Sequence, residues 1–433
     1  MDRFLMSNLI EWKNKKSRKP LVLNGARQVG KTWLLKEFGK NHFENVAYIS
    51  LDNNAMARSI FEQDNNINRI LDDLAIYTNE NIYPNKTLII IDEIQEQPKA
   101  ITSLKYFCED APEYHVAAAG SLLGLQVHSG TGWPVGKIES LNLYPLNFLE
   151  FLNATNNAKL LDKLYSGKIN EVSVFRQKLT NLIKQYYLIG GMPEVVKNFI
   201  ENNNYDSAKK IQVQILQDYR NDFSKHIPEK LIQRTSEVWE SIPAHISQEN
   251  KKFIFGNVRQ GARAKDYEES IKWLENAGLV YKVQRINKPG IPLNSYVDNK
   301  SFKLFLLDTG ILCAMTGVSK DTILEKNTLF TEFKGALTEQ YVCQQLISSC
   351  NLSTYYWSSP KSSGEIDFLV QQDKNIYAIE VKAAENLKSK SLQAFKEKNV
   401  ECKCLRFSLA DYREQEWMKN IPLYACMLAS LWD

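Results

Sequence analysis

No run in this sequence is apolar for long enough to cross a bilayer: its strongly aliphatic stretch, Leu88 to Ile91, falls far short of the ~20 residues that a spanning helix needs. The first residues, Met1 to Met6, lead into Trp12-Lys13-Asn14-Lys15-Lys16 without an apolar core, so no secretory signal is expected. Cysteine is sparse and unpatterned. The seven, at positions 108, 313, 343, 350, 402, 404 and 426, are odd in number and lack C-x-x-C spacing, which argues against a disulfide framework and against a zinc site. Cys402 and Cys404 read as small buried side chains on one face of a strand. Together these absences point to a reducing compartment, the cytoplasm, and to no membrane partner. An excess of either charge is also missing: 54 Lys and Arg against 50 Asp and Glu leave a net charge of +4, so any nucleic-acid surface has to be argued locally. With 44% hydrophobic and 24% charged residues the chain has an ordinary globular composition. At 433 residues it has length for about three domains.

What is present begins with Gly25-Ala26-Arg27-Gln28-Val29-Gly30-Lys31-Thr32, which fits the G-x-x-x-x-G-K-[ST] phosphate loop and follows the strand-like Leu21-Val22-Leu23. Glycines allow the tight turn, so that successive N–H groups and the next helix N-terminus face phosphate oxygens. Lys31 is expected to reach the β- and γ-phosphates of ATP and Thr32 to place its hydroxyl on Mg²⁺. Leu88-Ile89-Ile90-Ile91-Asp92-Glu93 is apolar on both faces, as a buried parallel strand is, and ends in two acids. Ligands of open α/β sheets sit beyond the carboxyl ends of the strands. Asp92 is therefore the expected Mg²⁺ holder and Glu93 the group that orients the attacking water. His115 to Ser121 reads as a third strand ending at the same edge, where Ser121 is expected to sense the γ-phosphate or to position water. Val46 to Leu51 is another strand and Ala100 to Glu109 a crossover helix, an alternation that gives a parallel α/β domain.

These motifs, with Ala119-Gly120-Ser121, the stretch Leu143 to Phe151 and Gly190-Gly191-Met192-Pro193-Glu194-Val195-Val196, resemble bacterial and archaeal AAA-family ATPases that carry a C-terminal domain of unknown function. The resemblance implies ATP as ligand, Mg²⁺ as cofactor and hydrolysis completed by an arginine from a neighbouring copy, hence a homo-oligomer. The sequence departs from it in one respect: no arginine lies between Arg69 and Arg176. Lys137 stands where some relatives have an arginine, but it lacks the planar fork that spans two phosphate oxygens. Either the finger lies later, with Arg220 and Arg234 as candidates, or Lys137 serves, or hydrolysis is slow.

From Leu152 to Arg234 the sequence is rich in helix formers, as a helical lid or linker would be, and Gly190 to Pro193 breaks it with a turn that could serve as a nucleotide-responsive hinge. A helix over Tyr267 to Asn276, stopped near Gly278, precedes the strand-like Leu279 to Val283 and Phe302 to Leu307. Helix plus two strands resembles a winged helix. Arg259, Arg263 and Lys265 lie where DNA phosphates would be met, although Asp266, Glu268 and Glu269 oppose them.

Near the C-terminus, Glu365 to Val370 and Asn375 to Lys382 are strand-like runs. A hairpin centred between Asp373 and Lys374 sets Asp367 opposite Glu380, and facing side chains have Cβ atoms ~4.5–5.5 Å apart. Two like charges there call for a cation, for which Mg²⁺ is the oxygen-loving candidate. Lys382 points to the same face as Glu380. The Asp…Glu-x-Lys set resembles the PD-(D/E)XK nuclease superfamily, whose helical glutamate Glu339 would supply, although Ile366 rather than proline precedes Asp367.

The fold expected is therefore α/β, with a P-loop AAA-type core over 1–155, a helical lid over 156–234, a winged-helix-like domain over 235–330 and a restriction-endonuclease-like α/β domain over 331–433. The function expected is Mg²⁺-dependent ATP hydrolysis coupled to a nuclease-like module acting on DNA or RNA. The alternative is an ATP-dependent regulatory protein whose C-terminal domain is catalytically inactive.

Overall fold

The computed structural model describes residues 1–120, 134–248, 251–324, 331–359, 364–383 and 389–433. Its contacts form two compact units, Met1–Tyr144 with Trp273–Leu279, and Pro145–Lys272 with Val280–Asp433.

The first unit is built on five short strands: β1 (Leu21–Asn24), β2 (Asn45–Ser50), β3 (Thr87–Asp92), β4 (His115–Gly120) and β5 (Glu139–Asn142). All pair in parallel, in the order β2-β3-β4-β1-β5. Every residue of β3 and β4 is buried, as central strands covered on both faces require. On one face Ile49, Ile89, Ile91 and Val116 meet Phe61, Leu74, Leu104 and Phe107 from helices α2 (Ala55–Glu62), α3 (Ile67–Thr78) and α4 (Pro98–Asp110), α1 being Lys31–His42. The expected strands and crossover helix are thus present, and their carboxyl ends carry Asn24, Ser50, Asp92 and Gly120 to one edge. Ser121 lies outside the described residues.

The second unit opens with α5 (Phe148–Ala154), whose start is fixed by a capping box: Asn147 accepts from the Glu150 amide, and Glu150 accepts from that of Asn147. The expected helical stretch follows as α6 (Arg176–Ile189), α7 (Pro193–Asn202), α8 (Tyr205–His226) and α9 (Glu229–Ile246), then α10 (Ala264–Asn276). The turn between α6 and α7 is bolted rather than loose. The Gly191 carbonyl accepts from the Leu146 amide at 2.7 Å, its own amide donates to Asp308 Oδ1 at 2.6 Å, and an added Cβ would stand 2.0 Å from Leu146 O.

Strands β6 (Val280–Ile286) and β7 (Val297–Leu306) form the antiparallel pair that reads as a wing in the sequence. They do not stand apart. β6 also pairs in parallel with β8 (Thr354–Ser358), and the sheet continues through β9 (Glu365–Gln372), β10 (Asn375–Val381), β11 (Lys403–Ser408), β12 (Arg413–Glu414) and β13 (Lys419–Pro422). Its order is β12-β13-β11-β10-β9-β8-β6-β7. One eight-stranded mixed sheet therefore carries both the winged-helix and the nuclease-like expectations, because the free edge of a two-stranded ribbon is satisfied by β8. Helix α11 (Thr309–Thr316) follows β7, α12 (Thr331–Ser348) precedes β8, and α13 (Lys390–Lys398) joins β10 to β11.

Buried glutamines on α12 tie this unit together. Gln340 accepts from the Leu306 amide and donates to the Leu306 carbonyl, Gln344 accepts from Thr309 N and donates to Tyr186 Oη and Asp308 Oδ1, and Gln345 accepts from Phe148 N. A buried amide satisfied on both ends fixes the partner backbone in one register.

Candidate functional site

The turn after β1 is shaped by backbone crowding. Gly25 lies so close to β5 that a Cβ would stand 2.2 Å from Leu143 O, so the first loop position has no room for a side chain. Arg3, buried beneath, donates to Val29 O at 3.0 Å and to Tyr144 O at 2.6 Å, bracing the loop from a distance in sequence that no motif announces. Gly30 ends the loop and α1 begins at Lys31. The loop glycines and the intervening Ala26, Arg27, Gln28 and Val29 thus sit where the motif requires them, between a strand end and a helix N-terminus.

Lys31 is buried, and its ammonium donates to Gly25 O and Ala26 O, both at 2.8 Å. Burial pushes its pKa down to about 8, against the pull of Glu93 and Asp92 and with the help of Arg27. Thr32 Oγ1 donates to Asp92 Oδ2 at 2.7 Å, so the hydroxyl and the carboxylate converge. Tyr48 on β2, which the sequence does not single out, donates to the same Oδ2 at 3.0 Å. Burial first, and Asp92 second, raise its phenol to about 12. A hydroxyl beside a carboxylate is the oxygen donor set that Mg²⁺ takes from protein when phosphates and water complete its shell. The residues fit the ion: Thr32 and Asp92 would hold it, and it would neutralise charge on the β- and γ-phosphates.

Glu93 has φ 52°, the left-handed region, which is unusual for a residue with a side chain. The conformation is held locally: its amide donates to Asp92 Oδ1 at 3.1 Å, its carbonyl accepts from Glu96 N, and Gln95 Nε2 donates to its Oε2 at 2.5 Å. Strain of ~1–3 kcal/mol that the surroundings enforce is typical of positions where a side chain must be aimed. Of the arginine-finger candidates, Lys137 pairs with Glu109 at 2.9 Å, Arg220 lies 3.6 Å from Glu240, and Arg234 is exposed.

At the other end of the chain the hairpin register is the expected one. Asn375 faces Gln372 and Ile379 faces Phe368, which continues to Glu380 opposite Asp367. The acids there are answered by lysines. Asp367 Oδ2 accepts from Val381 N at 2.7 Å, Glu380 Oε1 meets Lys382 at 3.1 Å, and Glu339 Oε1 meets Lys251 at 2.7 Å. Lys303, from β7, pairs with Glu365. Burial, then the neighbouring Glu339, raises the Asp367 carboxyl to about 7. Glu339 Oε2 and Glu380 Oε2 are buried without a hydrogen-bond partner. Among the described residues, no three side chains of the metal-ligating kinds converge. Glu339 and Glu380 thus each have one oxygen paired with a lysine and one left over. Neither Lys251 nor Lys303 is distinguishable as a site residue from its spacing in the sequence.

Residues 17–152 match the AAA domain family, over the part of the N-terminal unit that holds the parallel sheet and the loop. Residues 180–322 and 334–426 match two domains of unknown function, DUF8612 and DUF4143. No curated protein matches the chain. Among solved structures, the Walker-type ATPase PABY2304 of Pyrococcus abyssi is 13% identical, with 73% of this chain and 95% of that one covered at a TM-score of 0.45. The Aeropyrum pernix ORC1 protein in complex with DNA is 10% identical over 72% of this chain and 90% of that one, at a TM-score of 0.28. Cdc6p from Pyrobaculum aerophilum is 11% identical over 72% and 90%, at 0.24. Among the described residues no helix is long and apolar enough to cross a membrane.

Proposed function

We propose that the chain is an ATP-binding ATPase that hydrolyses ATP with Mg²⁺, and that its C-terminal region is a non-catalytic module through which nucleotide state is passed to a partner. The observation that carries the first part is the convergence of Thr32 Oγ1 on Asp92 Oδ2 at 2.7 Å, with Lys31 rooted in the same loop and Glu93 next along the strand end. Lys31 and the loop amides would bind the phosphates, Thr32 and Asp92 would hold the cation, and Glu93 would orient water. Ser121 keeps its assignment as a γ-phosphate sensor. Nucleotide binding and phosphate release, measured on the wild type and on Lys31→Ala, test this: binding should be lost in the variant, and wild-type turnover by Lys31→Ala would refute the site.

The depressed Lys31 pKa gives a sharper expectation. In the free protein Lys31 loses its proton as pH rises through about 8, whereas a phosphate oxygen at Nζ raises the pKa. Binding must then return a proton. Affinity should be flat below that pH and weaken above it, approaching roughly tenfold per pH unit. Calorimetry in two buffers of different ionisation enthalpy should register proton uptake in the wild type near pH 8 and above.

The competing reading makes the C-terminal region a nuclease, with Asp367 and Glu380 on Mg²⁺, Lys382 stabilising the pentavalent phosphate and Glu339 assisting. The register that sets Asp367 opposite Glu380 favours it. The pairing of Lys382 with Glu380, and of Lys251 with Glu339, favours the non-catalytic module. Cleavage of DNA or RNA that is lost in both Asp367→Ala and Lys382→Ala would reverse the preference. Stimulation of ATP hydrolysis by either nucleic acid would identify it as the partner, and a second copy of the chain is the partner expected to complete the ATPase site.

A further inference from the structure

We infer that Lys303 is a built-in counter-ion of the C-terminal acids, holding by a covalently attached ammonium the charge balance that a divalent cation would otherwise supply. The inference deepens the non-catalytic reading and rests on it.

Lys303 lies on β7, in the sequence Phe302-Lys303-Leu304-Phe305, where a charge has apolar neighbours on both sides. It is 1% exposed. An ammonium so placed is driven toward neutrality by desolvation, yet Lys303 is held above the ordinary lysine value because Glu365, Glu339 and Asp367 surround it. Its Nζ bonds Glu365 and lies 4.8 Å from the centroid of the Tyr356 ring, a cation–π contact on the remaining side. Lys251 covers Glu339.

The charges then nearly close without a metal. Three carboxylates, Glu339, Glu365 and Asp367, face two ammonium groups, Lys251 and Lys303, while Glu380 and Lys382 form a separate pair. One oxygen of each acid is also engaged. Glu339 Oε1, Glu365 Oε1, Asp367 Oδ2 and Glu380 Oε1 each already take a hydrogen bond or ion pair. Mg²⁺ demands six near-octahedral oxygens at ~2.0–2.1 Å, so beyond the two unpartnered ones, Glu339 Oε2 and Glu380 Oε2, it would have to displace these partners.

Removing one partner of a buried ion pair is strongly destabilising, whereas removing both together is nearly neutral. Lys303→Met in the full chain should therefore lower Tm by on the order of 10 °C. Adding Asp367→Asn and Glu365→Gln to it should recover most of that loss. Equal Tm for the single and triple variants would overturn the inference. Should Lys303→Met fail to accumulate, Mn²⁺ titration followed by electron paramagnetic resonance decides the matter on nucleotide-free Asp92→Asn protein, in which the N-terminal cation site is weakened. No Mn²⁺ bound, or binding indifferent to Asp367→Asn, sustains the counter-ion. Stoichiometric Mn²⁺ lost with Asp367→Asn overturns it, and does so without touching the non-catalytic reading if cleavage is still absent.

Discussion

Glu93→Gln is expected to bind ATP as the wild type does and to turn it over at least ~100-fold more slowly, the scale on which a positioned proton acceptor acts. The substitution is isosteric. The left-handed backbone at position 93 is fixed by the Asp92 carboxylate and by Glu96 N, neither of which changes. An amide oxygen can still accept from Gln95, which now holds Oε2 at 2.5 Å. On the proposed role, what is lost is the negative charge that would polarise water opposite the γ-phosphate, and nothing that would touch the nucleotide in its ground state. The signature is therefore a fall in kcat with KM and Kd unmoved. Asp92→Asn should differ, because it weakens an acceptor that Thr32 and Tyr48 both use, and its deficit should shrink as Mg²⁺ is raised. Single-turnover hydrolysis and equilibrium binding of a fluorescent ATP analogue separate the two. A Glu93→Gln protein hydrolysing at the normal rate would refute the role assigned to Glu93.

The parts of this architecture that show in the sequence are those whose causes are local. A strand buried on both faces writes itself as Leu88 to Ile91, and a phosphate loop needs consecutive residues, so the N-terminal sheet and its acidic strand end are legible. The Asp367–Glu380 register is legible for the same reason: a tight hairpin fixes its own pairing, and Asp373 at φ 51° supplies the turn. The rest depends on distant partners. Lys303 in the middle of an apolar strand signals that some acid must meet it, but the meeting of β7 with Glu365 is a tertiary fact. The β6–β7 pair looks complete in itself, and only the parallel addition of β8 makes it part of a larger sheet. Tyr48 reaches Asp92 because β2 and β3 run in register, Ser50 beside Asp92, which no spacing within either strand reveals. Gln340, Gln344 and Gln345 recur on one helix at polar positions that, on sequence alone, suit a solvated face; their backbone partners bury them.

Asp308→Ala is expected to be among the most destabilising single changes in the second unit. The carboxylate is fully buried and serves three separate segments: Oδ1 accepts from Gly191 N at 2.6 Å and from Gln344 at 3.2 Å, and Oδ2 accepts from Ile311 N at 3.1 Å, capping α11. Alanine leaves those donors buried and unsatisfied, each at a cost of ~1–3 kcal/mol, so a loss of roughly 3–9 kcal/mol follows. Against this stands the cost of keeping the wild-type group ionised. Burial lifts its pKa to about 6 despite these donors and the Gly310 amide. A carboxyl whose folded pKa exceeds its unfolded value near ~3.9 stabilises most at pH below that value, and the contribution is lost as pH rises through the folded pKa. Between pH ~4 and about 6 the wild type should therefore lose stability relative to Asp308→Asn, which lacks the titration while keeping one acceptor. Gly191→Ala should damage the same junction from the other side, since its Cβ would stand 2.0 Å from Leu146 O. Urea unfolding of the three variants across this pH range measures both effects. An Asp308→Ala protein as stable as the wild type at pH 7 would mean that the Gly191 turn, α11 and α12 do not depend on the carboxylate they share.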